Sequence, residues 1–334
     1  MELFLLVLVV GVAGVFAFIN GFHDVSNSVT TAVRTRALTP TIAVLLAAVF
    51  NLVGALLGTT LALLISDEWI SLPSGSTGLA ILLAGLTSAC LWGLGTWWLG
   101  YPSSSTHALL GGLLGSGFAS TLVGGNRVGN TDLWLQIVLP LLLSPVIAFV
   151  LAFLLVYPIT WLARYSQPRR INRRFRMAQS VSAAGFALGH GLQDGQRSMA
   201  VILLALMAAG FASGSGMPLW VQLFAATTMA VGTLFGGWRI SHTLGRRLVR
   251  IDPMRGSVAQ GLGAVMLFVG AIGLHMPVSS THTVGSAIVG AGANQRFDSV
   301  NVILVLKVVA VWIVTAGATA LMGGIFFLAL NPIL

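Results

Sequence analysis

Residues 101–107 read YPSSSTH, and 175 positions later residues 276–282 read MPVSSTH. In each stretch a proline and a run of hydroxyl side chains stand where one apolar, glycine-rich segment gives way to the next. Proline fits the first turn of a helix, and Ser or Thr caps the free N–H groups there. Each stretch therefore predicts a helix start within hydrophobic sequence. Such a start suits an oxyanion, because it offers hydroxyl donors, amide donors and the positive end of the helix dipole.

The composition predicts an all-α polytopic membrane protein. Of 334 residues, 56% are hydrophobic and only 7% are charged, against about a quarter charged in soluble domains. Apolar runs of the ~20 residues that cross a bilayer recur along the chain, and 40 glycines suit close helix packing. No sizeable soluble domain is expected.

The net charge of +9 has a membrane explanation rather than a nucleic-acid one. Six arginines lie between 164 and 176, and five lie between 239 and 255, next to apolar spans. The positive-inside rule places both clusters in the cytoplasm, with contact to lipid headgroups as the alternative. We therefore expect the inner cell membrane, no nucleic-acid partner, and both chain termini outside.

Two polar stretches interrupt otherwise apolar sequence at an offset of 170. Residues 20–28 read NGFHDVSNS, and residues 190–198 read HGLQDGQRS. A carboxylate among amides and hydroxyls in such a setting predicts a broken membrane helix. Small-residue faces at Gly54-x-x-x-Gly58 and Gly232-x-x-x-Gly236 also recur, and they predict internal packing or the seam of a possible homodimer.

Counting crossings predicts two inverted repeats. If residues 78–119 crossed the membrane once, the first arginine cluster would lie outside, against its charge. A re-entrant hairpin with the hydroxyl turn at its tip puts the cluster inside. Three crossings plus a hairpin, repeated in the opposite orientation, form an architecture typical of secondary transporters. The predicted division is a first repeat over 1–163, a basic cytoplasmic linker over 164–177 and a second repeat over 178–334.

Asp24 and Asp194 are the acidic residues that lie deep in apolar sequence, at matching places in the two repeats. A charge in a membrane span costs at least ~2.5 kcal/mol, which makes each a functional candidate, with helix capping as the alternative. Two carboxylates would repel an anion unless a cation or protons accompany it. We therefore predict cation coupling, and no metal site is assigned. The cation candidates are Asp24, Asp194, Asn20, Asn27, His23 and Gln196.

The oxyanion is expected on the two hydroxyl turns. Plain helix capping is the alternative role for each of these hydroxyls. Arg197 either meets the anion or pairs with Asp194, and His107 and His282 either take up protons or support the turns. The anion candidates are Ser104, Ser105, Thr106, Ser279, Ser280, Thr281, Gln193 and Arg197.

The sequence contains no motif of the common enzyme classes. No nucleotide-binding sequence, zinc spacing or nucleophile elbow occurs, so no enzyme activity and no cofactor is expected. A passive anion channel is the alternative from another class, and it would not need paired carboxylates.

Several motifs together resemble the PiT inorganic phosphate transporter family, over nearly the whole chain. They are the stretch GFHDVSN at residues 21–27, HG at 190–191, DGQ at 194–196, both SSTH turns, and residues 47–51 and 92–97. The resemblance implies a symporter that imports inorganic phosphate by alternating access. It is closest to bacterial low-affinity members, for which protons are the implied coupling ion and phosphate often travels as a neutral complex with a divalent metal.

The resemblance leaves two alternatives open. Sodium is the coupling ion in some branches of the family, and sulfate is the substrate in at least one. The family commonly has Asn directly before each Asp, whereas this chain has His23 and Gln193. This departure puts the sodium sites in doubt and favours protons.

Overall fold

The computed structural model describes residues 1–66, 70–125, 128, 134–212, 216–295 and 300–334. The sequence also predicts an outer loop around Asp67 and Glu68, and these two residues lie outside the described ranges. Most described residues are helical, as the composition predicted. The α-helices are α1 (Glu2–Arg34), α2 (Pro40–Leu56), α3 (Thr60–Leu64), α4 (Ser76–Leu99), α5 (Ser105–Leu122), α6 (Leu139–Ala163), α7 (Pro168–Ala208), α8 (Leu219–Leu234), α9 (Trp238–His242), α10 (Pro253–Phe268), α11 (Ser280–Ala293) and α12 (Val302–Leu330).

Several of these helices are suited to a bilayer. Within the described ranges, five are long and apolar enough to cross a membrane, and the bent α8–α9 pair would make a sixth. Single π-helical turns adjoin three of the helices, at Trp134–Val138, Thr243–Leu248 and Val269–Gly273. The chain is a multi-pass membrane protein.

Each hydroxyl stretch forms the turn of a helical hairpin, as predicted. Helix α4 ends at a left-handed glycine, Gly100, and α5 begins four residues after Tyr101. Helix α10 and its π-turn lead through residues 274–279 into α11. In both hairpins the second helix begins directly after a serine cap, so the local sequence and the local structure agree.

The two halves of the chain interlock through glycines. Helix α1 packs on α8, where a Cβ on Gly21 would collide with the carbonyl oxygen of Met229. The reciprocal contact is Gly232 of α8 against the backbone of Phe18. Backbones approach this closely only where no side chain intervenes.

Helices α2 and α7 repeat this arrangement. A Cβ on Gly54 would collide with the carbonyl oxygen of Leu188, and one on Gly191 with that of Asn51. Gly54 and Gly232 therefore serve internal packing, one of the two roles that the sequence allowed them.

Broken helices are present, but not where the sequence predicted them. Helices α1 and α7 run without interruption through residues 20–28 and 190–198. No proline lies in either stretch, and the polar side chains bond to other helices or to carbonyls one turn earlier, as Ser26 does to His23. The breaks lie instead at residues 57–59 and at residues 235–237, where α8 and α9 are bent by 56°.

The predicted basic linker at 164–177 is helical over most of its length. Helix α7 begins at Pro168, a favoured first helical residue, and arginines are good helix formers. A helix of 41 residues therefore carries the basic segment directly into the apolar core.

Both termini lie at the end of the helices away from these arginines. The Glu2 carboxylate lies beside Gly75, whose amide N–H donates to the carbonyl of Ala208 at 2.7 Å. Leu334 packs on the cluster around Ala80, near the start of α4.

Candidate functional site

The two hydroxyl turns meet at the centre of the molecule. Ser104 caps α5 by accepting from the amide of His107 at 3.2 Å, and Ser279 caps α11 by accepting from the amide of His282 at 3.3 Å. The Ser279 hydroxyl donates to Ser104 Oγ at 3.0 Å. The first N–H groups of a helix have no partner inside it, so two sets of amide donors converge on one place.

Each buried aspartate lies beside the turn from the other half of the chain. Ser280 and Thr281 approach the Asp24 carboxylate at 3.5 and 3.3 Å, and Ser105 approaches Asp194 at 3.4 Å. Both carboxylates are at most 1% exposed. Residues predicted for the anion therefore lie in contact with residues predicted for the cation.

His190 lies between the two carboxylates. Its Nε2 atom is 3.3 Å from Asp194 Oδ2 and 3.6 Å from Asp24 Oδ2, and the side chain is fully buried. The ligand atoms of these three residues lie within 4.8 Å of one another, close enough to share one cation. The sequence prediction missed His190, although its alignment with Asn20 at the offset of 170 was a usable signal.

Asn20 and Asn27 complete the cluster. The Asn20 amide donates to Asp194 Oδ2 at 3.0 Å, and the Asn27 amide donates to Thr281 Oγ1 at 3.0 Å. Their buried carbonyl oxygens have no hydrogen-bond partner among the described residues. Two unpaired acceptors near two carboxylates suit a cation.

Arg197 pairs with Asp194 in a buried ion pair. The sequence left two roles open for Arg197, contact with the anion or pairing with Asp194, and the structure shows the pairing. Thr106 is also buried and lines, with Arg197, a cavity of about 20 Å³ near the first turn. Arg197 therefore supplies a permanent positive charge beside one of the two carboxylates.

The two glutamines hold backbone groups. Gln193 Oε1 accepts from the amide of Val278 at 3.4 Å, which ties α7 to the second turn. Gln196 Oε1 accepts from the amides of Leu61 and Ala62 at 2.7 and 3.2 Å, at the start of α3. These contacts place both glutamine oxygens on backbone amides rather than on an ion.

Histidines flank the cluster on both sides. His23 Nδ1 is 2.8 Å from Asp24 Oδ1, and its Nε2 lies 3.5 Å from Ser103 Oγ in the first turn. His107 and His282 stack with their ring centroids 4.6 Å apart, and His282 stacks on Trp312 at 4.2 Å. The stack holds the two turns against each other and against α12.

Known proteins resemble this chain over nearly its whole length. A model of the phosphate transporter family matches residues 20–323. A probable low-affinity inorganic phosphate transporter of Bacillus subtilis is 39% identical over 332 residues, 99% of this chain and 98% of its own length. A protein of Rhizobium meliloti with the same description is 40% identical over 331 residues, 97% of this chain and 96% of its own.

One solved structure confirms the all-helical membrane fold. It is described as the sodium-dependent phosphate transporter, and it superposes with a TM-score of 0.83 over 99% of this chain and all of its own. The two sequences are 21% identical, so the likeness concerns the fold.

Proposed function

This chain belongs to the phosphate transporter family, a family of transporters rather than enzymes, and from that premise we propose that it imports inorganic phosphate together with a cation. The observation that carries the proposal is the contact between Ser104 and Ser279, with each aspartate beside the opposite turn. The two repeats, 1–163 and 178–334, would move against each other around this contact. The phosphate site would then open alternately to the cytoplasm and to the outside.

The hydroxyl turns supply the groups that phosphate needs. Its oxygens would accept from Ser105, Ser280 and the free amides at the starts of α5 and α11, as oxyanions do at helix N-termini. Phosphate would also attract the hydroxyl donors that now face Asp24 and Asp194. Substrate and cation would thus share one set of side chains, which is a physical basis for coupled transport.

Charge balance explains why a cation must accompany the anion. Asp24 and Asp194 carry two negative charges, and Arg197 offsets one of them. While His190 is neutral, a phosphate anion entering this buried place would meet net negative charge, and a cation or a proton on His190 would compensate it. Protons are the first candidate, because His190 can take one between the two carboxylates. Sodium is the alternative, and a divalent metal would travel with phosphate as part of the substrate.

The charge distribution supports one orientation in the membrane. With the arginine-rich end of the helices in the cytoplasm, both termini lie outside a bacterial inner membrane. Phosphate would enter from the end that carries the termini and leave beside the arginines.

Uptake into proteoliposomes tests the function. Labelled phosphate and labelled sulfate are compared under an imposed pH gradient, a sodium gradient and added magnesium. We expect phosphate accumulation above equilibrium under the pH gradient, with sulfate well below phosphate. Passage of phosphate without a co-moving cation would instead indicate a channel, and accumulation of sulfate in place of phosphate would overturn the substrate assignment.

A further inference from the structure

We propose that Asn51 and Thr233 are positioning residues that fix the tautomer of His190, so that its Nε2 lone pair faces the cation held by Asp24 and Asp194. The inference rests on the proposed function for its purpose, but it is argued from hydrogen bonds alone. The four residues Asn51, His190, Asp194 and Thr233 are all fully buried. Their donors and acceptors therefore have to be satisfied within the protein.

A chain of hydrogen bonds, here called the relay, runs from Met229 through Thr233 and Asn51 to His190. It begins at a backbone carbonyl in α8. The Thr233 hydroxyl donates to the carbonyl oxygen of Met229, one turn earlier, at 3.0 Å. A hydroxyl has a single hydrogen, so the Thr233 oxygen acts as an acceptor toward its other neighbour. That neighbour is Asn51 Nδ2 in α2, at 2.9 Å.

The orientation of the Asn51 amide sets the histidine. With its NH₂ group directed to Thr233, Asn51 presents its carbonyl oxygen to His190 Nδ1 at 3.1 Å. The oxygen has no hydrogen to give, so the imidazole must donate, and Nδ1 carries the proton. Whenever the imidazole is neutral it has this one N–H group, and Nε2 is then a lone pair that can bind a cation or take a proton.

Nε2 faces two carboxylate oxygens, so its lone pair can share a cation or a proton with them. The atom makes no hydrogen bond of acceptable geometry among the described residues, although it is buried within 3.6 Å of two carboxylate oxygens. Three acceptors, two of them charged, then surround one position, which suits a cation. The opposite tautomer would place an N–H group there and satisfy a carboxylate without any cation. The charged groups that face this position are Asp24 from α1 and Asp194 with Arg197 from α7, and His23 contacts Asp24 from the far side.

The packing of the central helices keeps the relay rigid. Gly191, next to His190, leaves α7 in direct contact with the backbone of Asn51 in α2. Gly232, next to Thr233, leaves α8 in direct contact with the backbone of α1. The relay thus crosses the molecule where these helices are closest, and a small shift of any of them would move Nε2.

Nitrogen-15 NMR of the histidine rings in lipid nanodiscs tests the tautomer directly. The His190 signal is assigned by its loss in His190→Gln, and spectra are recorded from neutral to alkaline pH. We expect Nδ1 protonated and Nε2 bare at the alkaline end. In Asn51→Leu, which has a similar size and no acceptor, Nδ1 is expected to lose its proton in favour of Nε2. Thr233→Val should give a mixture of tautomers, and Thr233→Ser should match the native chain.

Transport by the same variants gives the second readout. We expect gradient-driven phosphate accumulation to fall at least tenfold in Asn51→Leu, less in Thr233→Val, and to stay near native in Thr233→Ser. A native Nε2–H tautomer, protonation of both ring nitrogens at all pH values, or an unchanged tautomer in Asn51→Leu would overturn the inference.

The two readouts also separate this inference from the proposed function. A chain with the expected tautomer that transports no phosphate would contradict the proposed function and leave the role of Asn51 in place. A chain that accumulates phosphate while His190 carries its proton on Nε2 would contradict the role of Asn51 alone.

Discussion

Replacing Asp194 by Asn should destabilise the fold far more than the same change at Asp24. Asp194 is paired with Arg197, and both side chains are at most 5% exposed. Removing one partner of a buried ion pair leaves an uncompensated charge and costs ~3–5 kcal/mol. Asp24 contacts hydroxyls and imidazoles but no permanent cation, so Asp24→Asn leaves no such charge behind.

The free energy of unfolding, measured by denaturant titration of purified protein in mixed micelles, checks this difference. The double variant Asp194→Asn with Arg197→Gln should recover most of the loss, because both charges are then gone. Glu2→Gln, the same chemical change at an exposed position, serves as the control. Equal losses at Asp24 and Asp194, or no recovery in the double variant, would refute the reasoning.

Three further predictions follow from the turns, the helix packing and the orientation. Ser104→Ala should lower the free energy of unfolding by ~1 kcal/mol through the lost helix cap, and it should also weaken phosphate uptake. Ser105→Ala should raise the KM for phosphate and leave the free energy of unfolding unchanged. Thermal unfolding and uptake kinetics distinguish the two variants. Gly54→Ala should cost ~1–3 kcal/mol through collision with backbone, while Gly95→Ala, with open space around it, should fold normally, as measured by detergent-solubilised yield and unfolding. Ser166→Cys, made together with Cys90→Ala so that it is the sole thiol, should react with impermeant maleimide only from the cytoplasmic side, and labelling from outside would reverse the orientation.

Local sequence predicted the turns well because their chemistry is local. A proline, a serine cap and a following apolar run determine a helix start within a few residues, and both starts form as expected. The sequence also singled out Asp24 and Asp194 as candidates, because the cost of a charge in the membrane depends on the apolar sequence around it, and both side chains are buried in the cluster.

Hydrogen-bond partners that lie far apart in the chain could not be predicted from local sequence. Helices α1 and α7 were expected to break because their polar residues lacked visible partners, but those partners lie in other helices, as Asp194 does for Asn20. The same cause hid the role of Gln196, whose oxygen binds amides more than 130 positions earlier. Where an isolated segment seems to carry unsatisfied polar groups, the rest of the fold can supply the missing bonds.

The most direct test of the account is to locate a tetrahedral anion in the protein. Crystals grown with arsenate, which has the shape and charge of phosphate, would show the arsenic position by its anomalous scattering. We predict one strong peak within hydrogen-bonding reach of both the Ser104–Ser105 and the Ser279–Ser280 turns, weakened in crystals of the Ser105→Ala, Ser280→Ala double variant. A peak at the arginine-rich end with none between the turns would contradict it.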